Sequence, residues 1–113
     1  MKVDVREHGD VVIVAPEGDI KVGEGDIALR EAIQTQLAEG RERLVLDLVR
    51  VRFMDSAGLG ELVASLKRVR EGGGSLKVAG VNQRITDALT VTQLVRVLDI
   101  YPDVDAAIAA FAQ

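Results

Sequence analysis

Asp55-Ser56-Ala57-Gly58-Leu59-Gly60 sets a hydroxyl beside a carboxylate and ahead of two spaced glycines, shortly after the apolar run Leu44-Val45-Leu46-Asp47-Leu48. The order reads as a buried strand, a short link and a serine at the start of an amphipathic helix. A helix N-terminus presents free N–H groups and a partial positive charge, so a serine there is well placed to carry a phosphate. Phosphorylation adds about −1.5 to −2 charges at neutral pH. The helix end offsets roughly 0.3–2 kcal/mol of that, and Asp55 pushes the other way. The fold would survive the phosphate, whereas a partner packed over Ser56 would meet an unpaired dianion. This is the chemistry of a switch rather than of a catalyst. The same residues also have a plain structural reading, because Asp and Ser are favoured N-caps and Asp55-Ser56 can simply start the helix. Gly58 and Gly60 divide in the same way. Glycine costs up to ~1 kcal/mol inside a helix, so the pair implies either a close helix–sheet contact or close approach of a partner or kinase to Ser56.

Other chemistries fit poorly. Ser56 is not in a G-x-S-x-G elbow, and the one histidine, His8, falls beside a turn at the end of the first strand, so no hydrolytic triad is expected. Asp47 and Asp55 do not make an aspartyl-phosphate receiver, which needs an acidic pair after its first strand; Asp47 is expected to be a polar position within its own strand. Gly23-Glu24-Gly25-Asp26 is a weak phosphate signal. Its two acids would repel an anion, and a loop with Asp26 capping the next helix is expected. Lys67, Arg68 and Arg70 read as a solvated helix face. The chain has no cysteine, which excludes disulfides, thiolate metal sites and thiol catalysis. No metal and no cofactor are expected. With 3% aromatics and a net charge of −4, neither stacking on bases nor binding of a phosphate backbone is expected. No apolar run approaches the ~20 residues of a bilayer span, and Met1-Lys2-Val3-Asp4 lacks a signal-peptide pattern. A cytoplasmic protein with no membrane and no nucleic-acid partner is the expectation.

The elements that must position Ser56 follow from periodicity. At 113 residues, 48% hydrophobic and 28% charged, the chain is expected to form one domain over 1–113 with an aliphatic core. Val3-Asp4-Val5-Arg6 alternates as a half-buried strand, Gly9-Asp10 turns, and Val11 to Ala15 pairs back as a hairpin. Ile27 to Leu37 reads as a helix through Ile27, Leu29, Ala32, Ile33, Gln36 and Leu37, and Leu44 to Leu48 as a strand. Leu59, Leu62, Val63, Leu66 and Val69 form the stripe of the next helix, with Glu61 off it, and Gly72-Gly73-Gly74 ends it. Leu76 to Ala79 is a strand, Arg84 to Thr90 a short helix, Val95 to Leu98 a fifth strand and Val104 to Phe111 a last helix. Short joints between strand, helix and strand imply parallel pairing through right-handed crossovers. The class is α/β, with a mixed sheet made of an N-terminal hairpin and βα units, and helices packed on it.

The chain resembles the STAS-domain family, specifically the bacterial anti-sigma factor antagonists. The likeness rests on Asp55-Ser56-Ala57-Gly58-Leu59-Gly60, on Gly18-Asp19-Ile20 and Leu29-Arg30-Glu31, on Leu44 to Leu48 and on Gly73-Gly74, and it covers nearly the whole length. It implies the STAS fold and a mechanism. In the family, an anti-sigma factor with a GHKL-type ATPase fold is both inhibitor of a sigma factor and serine kinase. The unphosphorylated antagonist binds it and frees the sigma factor, phosphorylation of the serine matching Ser56 dissolves the complex, and a PP2C-type phosphatase restores it. Carried over, Ser56 is the phosphoacceptor, and Asp19, Lys21, Met54, Asp55, Ala57, Leu59 and Gly60 frame the partner surface of a monomer or weak dimer. Two positions depart from the pattern. The last acid of the family's Gly-Glu-Ile-Asp is Lys21 here, a cation that either holds the phosphate or marks a different kinase. The family's Thr-Gly ahead of the last strand falls at Val91-Thr92. The alternative function is a STAS scaffold subunit in a signalling or transporter-associated assembly.

Overall fold

The computed structural model describes residues 1–112, so Gln113, the last residue of the expected domain, lies outside the described residues. Strands β1 (Lys2–His8) and β2 (Val11–Glu17) form the expected antiparallel hairpin, with His8 opposite Val11 across the Gly9-Asp10 turn. β2 also pairs in parallel with β3 (Arg43–Asp47), β3 with β4 (Ser75–Ala79), and β4 with β5 (Ile100–Tyr101). The five described strands therefore lie in sequence order. Helices α1 (Gly25–Ala38), α2 (Ser56–Glu71) and α3 (Gln83–Val91) cross between the parallel strands, and α4 (Val104–Phe111) follows β5. This is the mixed α/β architecture expected from the sequence.

The alternation of each strand divides the core. Val12, Val14, Leu44, Leu46, Leu76 and Val78 face one side, where they bury Leu29 and Ile33 of α1, Leu62, Leu66 and Val69 of α2, and Ile85 and Leu89 of α3. Val11, Ile13, Val45 and Ala79 face the other side, under Ala107 of α4. With both faces covered, the central strands read as continuous apolar runs rather than alternating ones. Each fully buried aliphatic side chain stabilises the fold by about 1.5–3 kcal/mol.

Some local expectations are corrected. The fifth strand is not Val95 to Leu98. Leu94–Arg96 is a single 3₁₀ turn, and β4 instead pairs Val78 with Ile100 and Ala79 with Tyr101. The β-branched valines misdirect the reading, since Val95 and Val97 are 44% and 46% exposed and only Leu98 of that run is buried. The chain reverses here through Gln93, whose φ of 60° makes it the one described non-glycine residue in the left-handed region. A glycine would relax the backbone at Gln93, one residue beyond the Val91-Thr92 match. Asp26 does not cap α1: Glu24 stands at the N-cap, and Asp26 Oδ1 accepts hydrogen bonds from the backbone N–H groups of Gly23 and Ile27, both at 2.8 Å. Ile27 is largely outside the α1 stripe, whereas Glu61 of α2 is buried rather than solvated.

Candidate functional site

The site lies beyond the carboxyl ends of β2 and β3, where open α/β sheets place their working loops. Backbone bonds tie the two segments that leave these strands. Gly18 N–H donates to Arg50 O at 3.1 Å, Ile20 N–H to Phe53 O at 3.0 Å and Asp55 N–H to Ile20 O at 3.3 Å, and Ile20 pairs in parallel with Met54. Ile20 and Met54 plug this bridge into the main core at 0% and 5% exposure. Met54 is therefore a buried anchor and not part of the outer surface, because the bridge turns its side chain inward. Leu59 also packs partly against the core.

Both helices that start here press against the same point. A methyl added at Gly25 would stand 2.6 Å from Ile20 Cα and 2.7 Å from Asp19 O, and one at Gly58 would overlap the Ile20 carbonyl oxygen. Glycine at both positions lets α1 and α2 begin flush against the Asp19–Lys21 backbone. At Gly60 an added methyl would meet nothing within 4 Å. The two readings of the glycine pair thus separate, with Gly58 explained by packing and Gly60 left open on the surface.

Asp55, with extended backbone at ψ −175°, is the N-cap of α2, and Ser56 is the first helical residue. Asp55 Oδ1 accepts from Gly58 N–H at 2.9 Å, and Oδ2 accepts from Val22 N–H at 3.0 Å. The Val22 bond first, then the Gly58 bond, hold the Asp55 carboxyl below the ordinary aspartate range, with further help from Lys21. Since Asp55 does the capping, Ser56 is left exposed with no structural duty at the helix end. Around it, Gly60 and Lys21 are exposed, while Asp19, Asp55, Ala57 and Leu59 are half-buried. The sequence-expected residues do come together, Met54 from beneath.

Three further residues join the site that sequence reasoning did not single out. Arg52, Phe53 and Arg84 line, with Asp19 and Lys21, a cleft of about 350 Å³. Lys21 Nζ lies 3.5 Å from Asp19 Oδ2 and Arg52 Nε 3.9 Å from Asp19 Oδ1. Phe53 carries the Arg84 guanidinium 4.8 Å and the Lys21 ammonium 5.8 Å from its ring centroid. Arg52 and Phe53 were visible as the link before Met54-Asp55-Ser56, but only the β4–α3 connection brings in Arg84. Beneath the site, Glu61 joins α1 to α2 by accepting from Arg30 at 2.8 Å, Arg68 at 2.6 Å and Ser65 at 3.2 Å. Burial pushes the Glu61 carboxyl up, but the Arg68 and Arg30 hydrogen bonds outweigh it and hold the group below the ordinary glutamate range.

The geometry also bears on other chemistries. His8 pairs with Val11 at the amino end of β2, whereas Ser56 lies past the carboxyl end of β3, which runs parallel to β2. They occupy opposite ends of the sheet, and no triad can form. Asp47 closes β3, is buried, and accepts from Val49 N–H at 3.1 Å, as expected of a polar strand position. Among the described residues no group of three or more His, Asp or Glu is arranged to hold a metal ion, and no helix is long and apolar enough to cross a membrane.

Residues 2–107 match the family model described as the STAS domain. An anti-sigma-B factor antagonist of Bacillus subtilis (strain 168) is 35% identical over 100 residues, spanning 88% of this chain and 90% of that protein. An anti-sigma F factor antagonist of Paenibacillus polymyxa is 30% identical over 104 residues, spanning 89% and 86%. Among solved structures, the crystal structure of an anti-sigma factor antagonist from Mycobacterium paratuberculosis superposes with a TM-score of 0.88 at 28% identity, over 99% of this chain and 94% of that one.

Proposed function

The chain belongs to the STAS-domain family, and from that premise we propose that it is an anti-sigma factor antagonist switched by phosphorylation of Ser56. In this reading residues 1–113 act as one STAS unit in the cytoplasm, as a monomer or weak dimer that binds rather than catalyses. The unphosphorylated chain binds an anti-sigma factor with a GHKL-type serine-kinase fold and releases the sigma factor, and a PP2C-type phosphatase resets it. One observation carries the reading: Ser56 is exposed at the first position of a helix that Asp55 already caps, over backbone clamped on Ile20. A phosphate there disturbs no internal contact, but it stands beside the Asp55 carboxylate on the surface a partner must cover. An unpaired charge buried in an interface costs several kcal/mol, and each ~1.4 kcal/mol is tenfold in Kd. One phosphate therefore weakens the complex by about 100-fold or more.

The test is a pull-down from host lysate with Ser56→Ala and Ser56→Asp baits, the bound proteins being identified by mass spectrometry. A GHKL-type ATPase retained by the alanine bait and lost from the aspartate bait supports the switch. Identical proteins on both baits, with no such ATPase among them, reduce Ser56 to a helix-start residue.

A further inference from the structure

The cleft beside Ser56 is a basic patch on an acidic protein. The chain carries a net charge of −4, yet Lys21, Arg52 and Arg84 converge here with Asp19 as the only acid in the lining. The three cations come from three separate segments: the loop after β2, the loop after β3 and the start of α3. Arg52 and Lys21 keep 85% and 55% of their side chains exposed. Asp19 neutralises them incompletely, because its single negative charge is shared between Lys21 Nζ at 3.5 Å and Arg52 Nε at 3.9 Å. Among the described residues Arg84 has no acidic partner within ion-pair distance and is held only by the ring of Phe53. Lys21 and Arg84 already lie over that ring, which leaves it poorly placed to stack a base and points the recognition toward an anion.

We propose that this cleft receives an acidic side chain of the anti-sigma factor, and that Lys21, Arg52 and Arg84 determine which anti-sigma factor the chain accepts. The proposal rests on the reading of Ser56 as the partner surface. Guanidinium donors in a fixed fork match a carboxylate bidentately, and charge complementarity of this kind selects partners and suppresses wrong ones. Phe53 precedes Ser56 by three residues, a span of at most ~11 Å, so one docked surface covers both.

The experiment measures the affinity of the anti-sigma factor retained by the Ser56→Ala bait for the unmodified chain, Lys21→Glu, the double variant Arg52→Glu/Arg84→Glu, and Arg43→Glu. The last changes net charge equally per site at the opposite end of the sheet, and thermal melts confirm that each variant is folded. The single reversal at Lys21 is expected to weaken binding at least tenfold, the double reversal at least 100-fold, and Arg43→Glu less than twofold. Reversals at the cleft no larger than that of Arg43→Glu, with Ser56→Asp still abolishing binding, would overturn the cleft proposal and leave the switch standing. Failure of Ser56→Asp to weaken binding, or absence of any retained anti-sigma factor, would strike the function reading itself and remove the basis for the cleft. Inorganic phosphate, followed by ¹H–¹⁵N spectra, covers the other source of anion. Saturable micromolar binding at the cleft that Lys21→Glu abolishes would assign it to a small anion and overturn the proposal, whereas millimolar binding or none is expected.

Discussion

Gly58 and Gly60 stand two positions apart in one helical turn and meet opposite surroundings. The inner one fills the only space that the Ile20 carbonyl leaves, and the outer one has no neighbour within 4 Å. The inner side of the α2 start is fixed by packing, by the Asp55 cap and by the Ile20–Met54 bridge. The outer side, with Ser56, Gly60 and Lys21, contributes little to the fold. The difference teaches how a single charge can change binding without changing structure. The surface that phosphorylation of Ser56 would modify is not the surface that holds the helix in place.

The largest expected effect breaks the inner side. Gly58→Ala forces a methyl into the Ile20 backbone and should cost at or above the ~3 kcal/mol upper end of overpacking, whereas Gly60→Ala should stabilise by up to ~1 kcal/mol through helix propensity alone. Chemical denaturation of the pair checks this, and equal stabilities would erase the contrast. On the outer side Gly60→Ala should nonetheless reduce binding of the anti-sigma factor, since the added methyl would stand on the proposed docking face. Next in size, Asp55→Ala removes the acceptor of both the Gly58 and Val22 bonds. It should lower stability by about 1–2 kcal/mol and raise hydrogen exchange at the Val22 amide.

A smaller effect tests strain far from this turn. Gln93 adopts φ 60° without being glycine, so Gln93→Gly should stabilise by about 1 kcal/mol in thermal unfolding and leave binding unchanged. The smallest is a pH effect. Asp55 and Glu61 are both held below their ordinary ranges, so the folded state takes up their protons less readily than the unfolded chain. Their contribution is complete above the ordinary carboxylate values, near pH ~4, and is lost as pH falls through the lowered folded values. Melting temperature should decline below that pH, and Glu61→Gln should flatten the decline while lowering stability at neutral pH.

What the sequence disclosed depended on how local each signal was. The hairpin, the buried run before the serine and the α2 stripe were legible because alternation, turn residues and helical spacing act over a few neighbours. The role of Ser56 stayed divided, since Asp and Ser both suit a helix start, and only the cap geometry assigns that duty to Asp55. Gly58 could not be separated from Gly60, because its contact is with Ile20, far back in the chain. Met54 looked like surface beside the serine, but the bridge to Ile20 buries it. Arg84 reaches the cleft through the order of the strands, which no local pattern encodes. The Val95 to Leu98 run misled because β-branched residues favour strands in general, whereas here a left-handed turn at Gln93 postpones the strand to Ile100.

The central proposal is that a phosphate on Ser56 is sufficient to switch binding off on an unchanged fold. Its most direct test titrates the retained anti-sigma factor into the unmodified chain and into the chain phosphorylated at Ser56, with ¹H–¹⁵N spectra of both forms. The account predicts that affinity falls by about 100-fold or more, with amide shifts confined to the start of α2 and the loops around Lys21 and Phe53. Equal affinities for the two forms, or shifts spread through the sheet and helices, would contradict it.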